Sequence, residues 1–381
     1  MRILRGGTVV DANGTREVDI GIEAGEIAAI GRDLDGEETI EVDGYVAPGL
    51  IDAHVHLMMD ARPDPSSIAT ETAPALVFNA AANLRAALEA GVTTVRDLGS
   101  GHGVALEAAR AVETGTLPGP RVVACGQNVV MTGGHGHWFG READGPAEVT
   151  KAVREQLKRG ADVIKCMATG GVLTEGALTG LPELEPEELD ALVAAAEAKA
   201  TPTAAHAHGI QGIKNAVKAG ITSIEHGTFM DRGAAELMAD HGTVWVPTAS
   251  ALRGIVDADP EAGIPQYAID KGVEAADAFD DAWSAALDAG VTIAMGTDAG
   301  TPFNPLGDAA TELEYMVDYG LDPEGALEAA TVNAADLLGL DDVGLVREGF
   351  RADLVVLDDD PREDVTTWQD PSMVVAAGDL V

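Results

Sequence analysis

Two hydrophobic patterns alternate along the central part of the chain. Short and almost wholly apolar runs, such as 93–99, 120–127 and 162–167, are followed by Ala-, Leu- and Glu-rich stretches with helical spacing, such as 185–200 and 277–290. Apolar runs of this length are typical of strands buried on both faces, and strands that alternate with helices predict a parallel sheet. The pattern recurs about eight times over roughly 290 residues, which predicts a (β/α)₈ barrel.

The two ends of the chain carry a different pattern. Short alternating runs broken by Asn-Gly, Ala-Gly and Asp-Gly pairs fill the first 46 residues, and similar runs follow Leu345. Such pairs are hairpin signals. We therefore predict an α/β protein in which a TIM barrel, residues 49–344, is inserted in a small β-sandwich domain built from residues 1–48 and 345–381. A doubly wound open sheet is the alternative, but no Gly-x-Gly-x-x-Gly turn follows the first strand.

The charge balance narrows the possible partners. Of 381 residues, 64 are acidic and 24 basic, which gives a formal net charge of −40. Self-repulsion of this size is costly at low ionic strength and is screened by salt. Since lysine is scarce and aromatic residues make up only 4%, we predict a halophilic protein, with an ordinary acidic enzyme as the alternative. Nucleic acid and anionic membranes are excluded as partners, because binding phosphate requires a basic face.

Cysteine usage and the N-terminal sequence bear on location. Cys125 and Cys166 form no Cys-x-x-Cys motif and are too few for a disulfide framework. The first residues lack the continuous apolar segment of a signal peptide, and no run approaches the roughly 20 apolar residues of a membrane span. These features predict a cytoplasmic location.

Six reactive side chains stand at or near the C-terminal ends of the apolar runs. In a barrel these ends meet at one face, where the reactive residues of such enzymes lie. His54 and His56 are two residues apart and therefore face the same side of their strand, although the pair alone is equally compatible with a structural role. Together the six predict a hydrolytic site with two metal ions, held by His54, His56, Lys165, His206, His226 and Asp298.

Lys165 is the most unusual of these residues. It lies between Ile164 and Cys166 in an apolar run, where its ammonium would be buried. Burial favours the neutral amine and lowers the pKa of a lysine from about 10.4. We interpret Lys165 as an amine that has taken up CO₂ to form a carbamate, an anion able to bridge two cations. The alternative is a buried ion pair with a carboxylate.

The other ligands come from the second half of the barrel. His208 lies two residues after His206 and therefore faces the same side of the strand. One of the two is expected to be a ligand and the other a substrate contact, and we predict His206 as the ligand. Asp298 can hold a metal and accept a proton, and its alternative role is the N-cap of the next helix. Imidazole and oxygen ligands together suit Zn²⁺ best, with Mn²⁺, Co²⁺ or Fe²⁺ as alternatives.

The order of these residues along the chain and the motifs that surround them resemble those of the amidohydrolase superfamily, and the resemblance covers essentially the whole chain. The motifs that carry the resemblance are APGLIDAHVHL at 47–57, IKCMATGG at 164–171, HAHG at 206–209, EHG at 225–227, GTDAG at 296–300 and GFRADLVVLDDDP at 349–361. IKCMATGGVLT and MTGGHGH are most similar to the binuclear dipeptidase branch, which includes prolidase-type Xaa-Pro dipeptidases and has imidazolonepropionase relatives. The resemblance implies one metal on His54, His56 and Asp298, a second on His206 and His226, and a carboxylated Lys165 between them.

One departure from the superfamily bears on the reaction. Related deaminases carry an acidic residue three positions after the equivalent of His206, and here that position is Gly209. The departure favours hydrolysis of an acyclic amide over deamination.

The expected mechanism is attack of a metal-bridging hydroxide on the scissile carbonyl, with Asp298 passing the proton to the leaving amine. His135, in the glycine-rich segment 131–142, is the expected donor to the oxyanion. The expected substrate contacts are His208, His137, Arg141, Asn304 and Thr301. His137 and Arg141 lie on the same segment as His135, and the alternative for these two residues is a position on a solvated loop face.

Three functions are compatible with this sequence. The preferred one is a dipeptidase or carboxypeptidase of Xaa-Pro type, and the second is a non-peptide amidase acting on N-acyl amino acids. The ligand set is the same for both, so the sequence does not separate them. A non-catalytic binding scaffold is the third, and it is disfavoured because no ligand is missing. The expected partners are a dipeptide or another small molecule and, as is frequent for barrels of this type, further copies of the chain.

Overall fold

The computed structural model of the chain describes residues 1–259 and 261–381, and its elements follow the two predicted patterns. The strands are β1 (Arg2–Arg5), β2 (Thr8–Asp11), β3 (Gly14–Glu17), β4 (Asp19–Glu23), β5 (Glu26–Gly31), β6 (Glu38–Glu41), β7 (Tyr45–Pro48), β8 (Leu50–Val55), β9 (Val92–Asp97), β10 (Arg121–Ala124), β11 (Val129–Val130), β12 (Arg141–Glu142), β13 (Ile164–Met167), β14 (Thr203–Ala207), β15 (Ser223–His226), β16 (Val244–Val246), β17 (Leu354–Leu357), β18 (Met373–Ala376) and β19 (Asp379–Leu380). The helices are α1 (Ala73–Glu89), α2 (Val104–Glu113), α3 (Pro146–Arg159), α4 (Pro186–Glu197), α5 (Ile210–Ala219), α6 (Arg232–His241), α7 (Ala249–Val256), α8 (Gln266–Ala289), α9 (Ala309–Asp318), α10 (Pro323–Ala330) and α11 (Val332–Leu338).

A closed parallel barrel occupies the centre of the chain. β8, β9 and β10 pair in parallel, and so do β13, β14, β15 and β16. The backbone of Asp162 donates to the carbonyl of Ala124 at 2.9 Å and joins the two sheets. The eighth position is taken by an irregular segment, which closes the ring through parallel bridges from Ile293 to Trp245 and from Ala299 to Val55. The predicted (β/α)₈ barrel is thus present, with one strand reduced to isolated bridges.

Amphipathic helices cover the outside of the barrel. α3 packs against α4, β11 and β13 and buries Val149, Ala152 and Val153 on one face, which is the three-to-four-residue spacing of a surface helix. It ends at Gly160, whose φ of 94° is readily adopted only by glycine. Hence the barrel core lies between the strands and one apolar stripe on each helix. None of the described helices is long and apolar enough to span a bilayer.

Two further sheets are formed from the chain ends. One has the strand order β5-β4-β1-β6, and the other has the order β19-β18-β17-β7-β2-β3, so that β17 from the C-terminal end pairs antiparallel with β7 from the N-terminal end. A separate buried cluster lies in this part of the chain and includes Val9, Ile20, Ile27, Val356 and Val375. The predicted sandwich of both chain ends is therefore confirmed. Because β7 leads directly into β8, this part of the molecule fixes the start of the first barrel strand.

The segment that follows β10 forms a long loop at the C-terminal face of the barrel. β11 pairs with both β12 and β13, and Val129 lies opposite Cys166. These short strands tether the glycine-rich segment 131–142 beside Lys165. As a result His135, at the centre of that loop, is buried rather than solvated.

Candidate metal centre

The six predicted ligands meet in one cavity at the C-terminal face of the barrel. The cavity has an empty volume of about 780 Å³ including its open mouth. Every one of the six side chains is buried, with at most 8% of its surface exposed. They come from β13, β14 and β15, from β8 and the residue directly after it, and from the irregular eighth segment, and all line the cavity: His54, His56, Lys165, His206, His226 and Asp298.

Hydrogen bonds fix the tautomers of His54 in β8 and of His56 directly after it. Nδ1 of His54 lies 2.9 Å from the carboxylate of Glu225, and Nδ1 of His56 lies 2.9 Å from the carbonyl oxygen of Gly99. Both partners accept hydrogen bonds only, so each Nδ1 carries the proton and donates. Nε2 of each ring then presents a lone pair to the cavity, which is the arrangement of a metal-binding histidine supported by a second hydrogen bond.

Asp298 provides a test of whether a metal fits here. Its Oδ1 lies 3.1 Å from Nε2 of His56 and 3.3 Å from Nε2 of His54. With the protons on Nδ1, two lone pairs and an anionic oxygen face one another, and this arrangement requires positive charge between them, either a metal ion or a proton on one Nε2. The carboxylate of Asp298 also raises the pKa of His56 despite the opposing effect of burial, which reflects the same demand for positive charge. The residues present therefore fit a metal ion.

A second cluster lies beside the first. One ring nitrogen from each of His206, His208 and His226 lies within 4.8 Å of the others, and His226 also groups with His54 and Asp298. Nδ1 of His226 is 2.7 Å from the hydroxyl of Thr248, which itself donates to the carbonyl of Pro247 at 2.7 Å. The hydroxyl must therefore accept from Nδ1, so Nε2 of His226 is again a free lone pair.

Burial keeps these imidazoles neutral. Desolvation lowers the pKa of His54 and of His208 to about 4, and it holds the pKa of His206 and of His226 well below the usual value. Neutral imidazole is the form that binds metals. Nε2 of His206 is buried without a hydrogen-bond partner among the described residues, whereas Nδ1 of His208 is 2.7 Å from the hydroxyl of Thr228. The structure brings both residues to the cluster, and the choice between them stays a prediction in favour of His206.

Lys165 lies in the barrel interior with 1% of its surface exposed. Desolvation lowers the pKa of its amine, as the sequence predicts. Among the described residues its Nζ forms no ion pair, and the nearby carboxylate of Glu225 is bound by Arg96 at 3.0 Å and by His54. The ion-pair alternative for Lys165 is therefore disfavoured.

His135 and Thr301 also line the cavity, but three other predicted contacts do not. His137 is exposed and lies 3.9 Å from Glu142, and Arg141 is bound by Glu155 of α3 at 2.8 Å. Nδ2 of Asn304 donates to the carbonyl of Thr297 at 2.8 Å and supports the loop from behind. These three side chains are not brought to the site. For His137 and Arg141 the observed positions agree with the alternative from the sequence, in which both lie on a solvated face of the loop.

Several residues that position the ligands were missed by the sequence analysis. Glu225 and Arg96 are buried and bind the ligand-bearing strands from inside the barrel. Charged side chains within the otherwise apolar runs SIEHG and TTVRDLG were the available signal. Thr228 and Thr248, which hold two imidazoles, carry no comparable signal because threonine is common in loops.

Backbone strain is concentrated at this site. His226, Thr248 and Asp298 have φ values of 72°, 55° and 56°. Non-glycine residues rarely adopt this left-handed conformation, and each costs on the order of 1–3 kcal/mol. Strain of this kind persists only where the surrounding contacts hold it, and it clusters at functional sites.

The remaining wall of the cavity is mainly apolar, and its polar members are Thr228, Thr248 and Thr301. Apart from Lys165, Asp298 and the histidines, the described lining residues carry no charge, and no arginine is among them. A cavity lined in this way excludes water from the reacting groups and suits an uncharged apolar group. The apolar side chains are Met59, Pro65, Trp138, Phe139, Met167, Val172, Leu173, Pro247, Ala251, Leu252, Ile255 and Phe279.

Comparisons with known proteins agree with this architecture. The amidohydrolase family matches residues 45–381. The ochratoxinase of Aspergillus niger is 35% identical over 358 residues, which covers 86% of this chain and 73% of the ochratoxinase. A crystal structure of a Xaa-Pro dipeptidase with methionine bound in its active site superposes with a TM-score of 0.93 at 32% identity, covering 100% of this chain and 99% of that one.

A prolidase in complex with N-methylphosphonate-L-proline is similarly close in structure. It superposes with a TM-score of 0.92 at 30% identity and covers 100% of this chain and 99% of its own. Family match, sequence identity and fold agree, and the chain therefore belongs to the amidohydrolase family and is a hydrolase that acts on carbon–nitrogen bonds.

Proposed function

We propose that the chain is a two-metal dipeptidase of Xaa-Pro type with a preference for apolar Xaa side chains. The observation that carries the proposal is the meeting of Asp298 with the Nε2 lone pairs of His54 and His56, beside a second histidine cluster in an apolar cavity. Similarity to a Xaa-Pro dipeptidase and to a prolidase, each over the whole chain, supports the substrate class.

The proposed ligands divide into two groups. His54, His56 and Asp298 would hold one zinc ion, His206 and His226 would hold the other, and a carboxylated Lys165 would bridge them. When bound, two such ions polarise the scissile carbonyl and bring the ionisation of water close to neutral pH.

Asp298 is the proposed proton carrier. Burial opposes its ionisation, but the neighbouring His54 and His56 outweigh this effect, so the pKa of Asp298 lies below the usual value and the carboxylate is ionised at neutral pH. An ionised carboxylate can take the proton from the attacking water and return it to the nitrogen of the leaving amine. Its left-handed backbone conformation holds the carboxylate at the histidine side of the cavity.

His135 is the proposed hydrogen-bond donor to the developing oxyanion. Burial lowers the pKa of His135 to about 3, so the ring is neutral and retains one N–H. In the part of the chain that the structure describes, Nδ1 of the ring is buried without a hydrogen-bond partner, and the ring centroid lies 4.3 Å from that of His206. A donor placed in advance in a site shielded from water stabilises negative charge more strongly than one in solution.

A non-peptide amidase that acts on an N-acyl amino acid is the second candidate. It is favoured by the similarity to the ochratoxinase of Aspergillus niger and by the absence of any arginine among the described residues of the cavity wall. The scaffold interpretation is set aside because the family is one of hydrolases.

A substrate panel tests both candidates. Zinc-loaded protein in molar KCl would be offered Leu-Pro, Phe-Pro, Glu-Pro, Arg-Pro and a set of N-acyl amino acids, with release of the free amino acid as the readout. We expect kcat/KM for Leu-Pro and Phe-Pro to exceed that for Glu-Pro and Arg-Pro by at least about tenfold, roughly 1.4 kcal/mol.

Matched variants complete this experiment. Asp298→Asn should abolish turnover, while Asp288→Asn, an exposed carboxylate on α8, should leave it unchanged. Turnover of N-acyl amino acids alone would replace the dipeptidase with the amidase. No turnover of either class by protein that holds two zinc ions would contradict both candidates.

A further inference from the structure

Thr248 occupies the N-cap position of α7 but does not cap it. An N-cap threonine ordinarily accepts a hydrogen bond from a backbone amide of the first turn. Here its hydroxyl makes no such bond and instead accepts from Nδ1 of His226 and donates to the carbonyl of Pro247. The first amides of α7 must therefore find another acceptor, since buried helix ends without partners are costly.

Glu312 supplies that acceptor from a distant part of the chain. It lies on α9, is fully buried, and accepts from the backbone amide of Ala249 at 2.9 Å and from that of Ser250 at 2.7 Å. Within the described residues it forms no ion pair, so when it is ionised its charge is balanced only by the two amides and the positive end of α7. A buried carboxylate without a cation is costly, and its presence indicates a specific role.

The two observations belong to one arrangement. Glu312 fixes the two residues that follow Thr248, and Thr248 itself is held in the left-handed conformation. That conformation turns the hydroxyl away from its own helix and towards His226. The same helix presents Leu252 and Ile255 to the cavity. The contact of Glu312 with the start of α7 therefore fixes both His226 and part of the apolar wall.

We propose that Glu312 is a positioning residue that takes over the capping of α7 and thereby frees Thr248 to orient His226 as a metal ligand. The proposal rests on the proposed function, because it takes His226 to bind one of two zinc ions. Residues that orient a metal ligand from behind contribute about 10–100-fold to metal affinity.

Zinc affinity of the holoenzyme tests the proposal. Wild type, Thr248→Val, Thr248→Ser, Glu312→Gln and Glu312→Asp would be dialysed against a graded chelator, and bound zinc would be counted by mass spectrometry alongside Tm. We expect Thr248→Val to release one of its two zinc ions at a free chelator concentration about 10–100-fold lower than the concentration that wild type requires. Thr248→Ser should restore near wild-type retention because it keeps the hydroxyl. Both Glu312 variants should weaken the same zinc ion, with KM for the substrate less affected than kcat.

Controls separate this role from a purely structural one. Asp318→Asn, an exposed carboxylate on α9, should retain both zinc ions as the wild type does. A Glu312 variant that lowers Tm but retains both zinc ions with wild-type affinity would reduce Glu312 to a structural cap and overturn the proposal. Equal zinc retention in Thr248→Val and wild type would overturn it even where the Glu312 variants fail to fold. Wild type that binds fewer than two zinc ions would instead contradict the proposed function.

Discussion

The guanidinium of Arg96 lies 3.0 Å from the carboxylate of Glu225 inside the barrel, and both side chains are buried. Arg96 also donates to the carbonyl of Ala53, next to His54, while Glu225 accepts from Nδ1 of His54. The ion pair thus joins β9 and β15 to β8, which carries His54 and leads directly into His56. Its role is to hold ligand-bearing strands in register beneath the site.

Removing Arg96 should be strongly destabilising. Arg96→Met leaves the carboxylate of Glu225 buried without its cation, and we expect the free energy of unfolding to fall by about 3–5 kcal/mol. Urea unfolding in molar KCl provides the measurement. Arg85→Met is the matched control, because Arg85 pairs with Glu89 on an exposed helix face, where an ion pair contributes about 0–1 kcal/mol. Equal losses in the two variants would contradict the assigned role of the buried pair.

Glu312 should make the stability of the protein depend on pH. Burial raises the pKa of Glu312 from 4.5 to about 7, and the negative charge of Asp52 adds to the effect. Between these values the folded chain holds a proton that the unfolded chain has lost, so stability falls as pH rises from 4.5 to 7 and levels off above. At 1.36 kcal/mol per pKa unit, the loss is roughly 3 kcal/mol.

Glu312→Gln isolates this contribution because the amide does not titrate. We expect the free energy of unfolding of the variant, measured relative to that of wild type, to increase by roughly 3 kcal/mol between pH 4.5 and pH 7.5. The measurements use chelator-treated protein at fixed KCl, so zinc binding does not enter. Parallel pH profiles of the two proteins would show that Glu312 ionises in the folded chain as it does in the unfolded one.

The sequence predicted the barrel and the meeting of the six candidate ligands at one face because both depend on local patterns. Apolar runs mark strands that are buried on both faces, and the C-terminal ends of parallel strands meet at one face whatever the details of the loops. His54, Lys165, His206 and Asp298 could therefore be grouped although they span most of the chain. The irregular eighth segment was recognised for the same reason, since its composition is that of a strand even where its pairing is reduced to bridges.

Contacts made by loops and by distant helices were not accessible in this way. Arg141 lies in the same glycine-rich segment as His135, but β12 turns its side chain towards Glu155 and away from the cavity. Nothing in the sequence around Glu312 links it to Ala249, because that contact depends on how α9 packs beside α7. Side-chain direction in loops and long-range capping are properties of the tertiary structure.

Salt should stabilise the protein through screening of its net charge of −40. Raising KCl from 0.1 to 1 M shortens the screening length from about 10 Å to about 3 Å, which weakens repulsion between neighbouring carboxylates. We expect Tm to rise steeply over this range and then to level off. A gain in Tm that continues in proportion to salt at higher concentrations would indicate general exclusion of salt instead, and a flat profile would contradict adaptation to salt.

Lys165→Ala should abolish activity and reduce bound zinc, because the proposed bridging carbamate is lost. Short carboxylic acids such as acetate or propionate should restore part of the activity, since a free carboxylate fits the space left by the side chain. Turnover of Leu-Pro with and without added acid, together with zinc content, provides the measurement. Lys158→Ala, an exposed lysine on α3, should behave as wild type in both assays. Full activity of Lys165→Ala would contradict the bridging role.

His135 and Arg141 are six residues apart, and their variants should differ sharply. His135→Ala removes the proposed oxyanion donor, so kcat should fall by about 10²–10³-fold with little change in KM. Arg141→Ala removes a partly buried ion pair with Glu155 outside the cavity, so both kcat and KM should stay within about twofold of wild type. Steady-state kinetics with free and C-terminally esterified dipeptides provide the test. A rise in KM confined to the free dipeptides in Arg141→Ala would return the carboxylate-binding role to Arg141 and require the loop to move on binding, because in the observed structure this side chain faces α3.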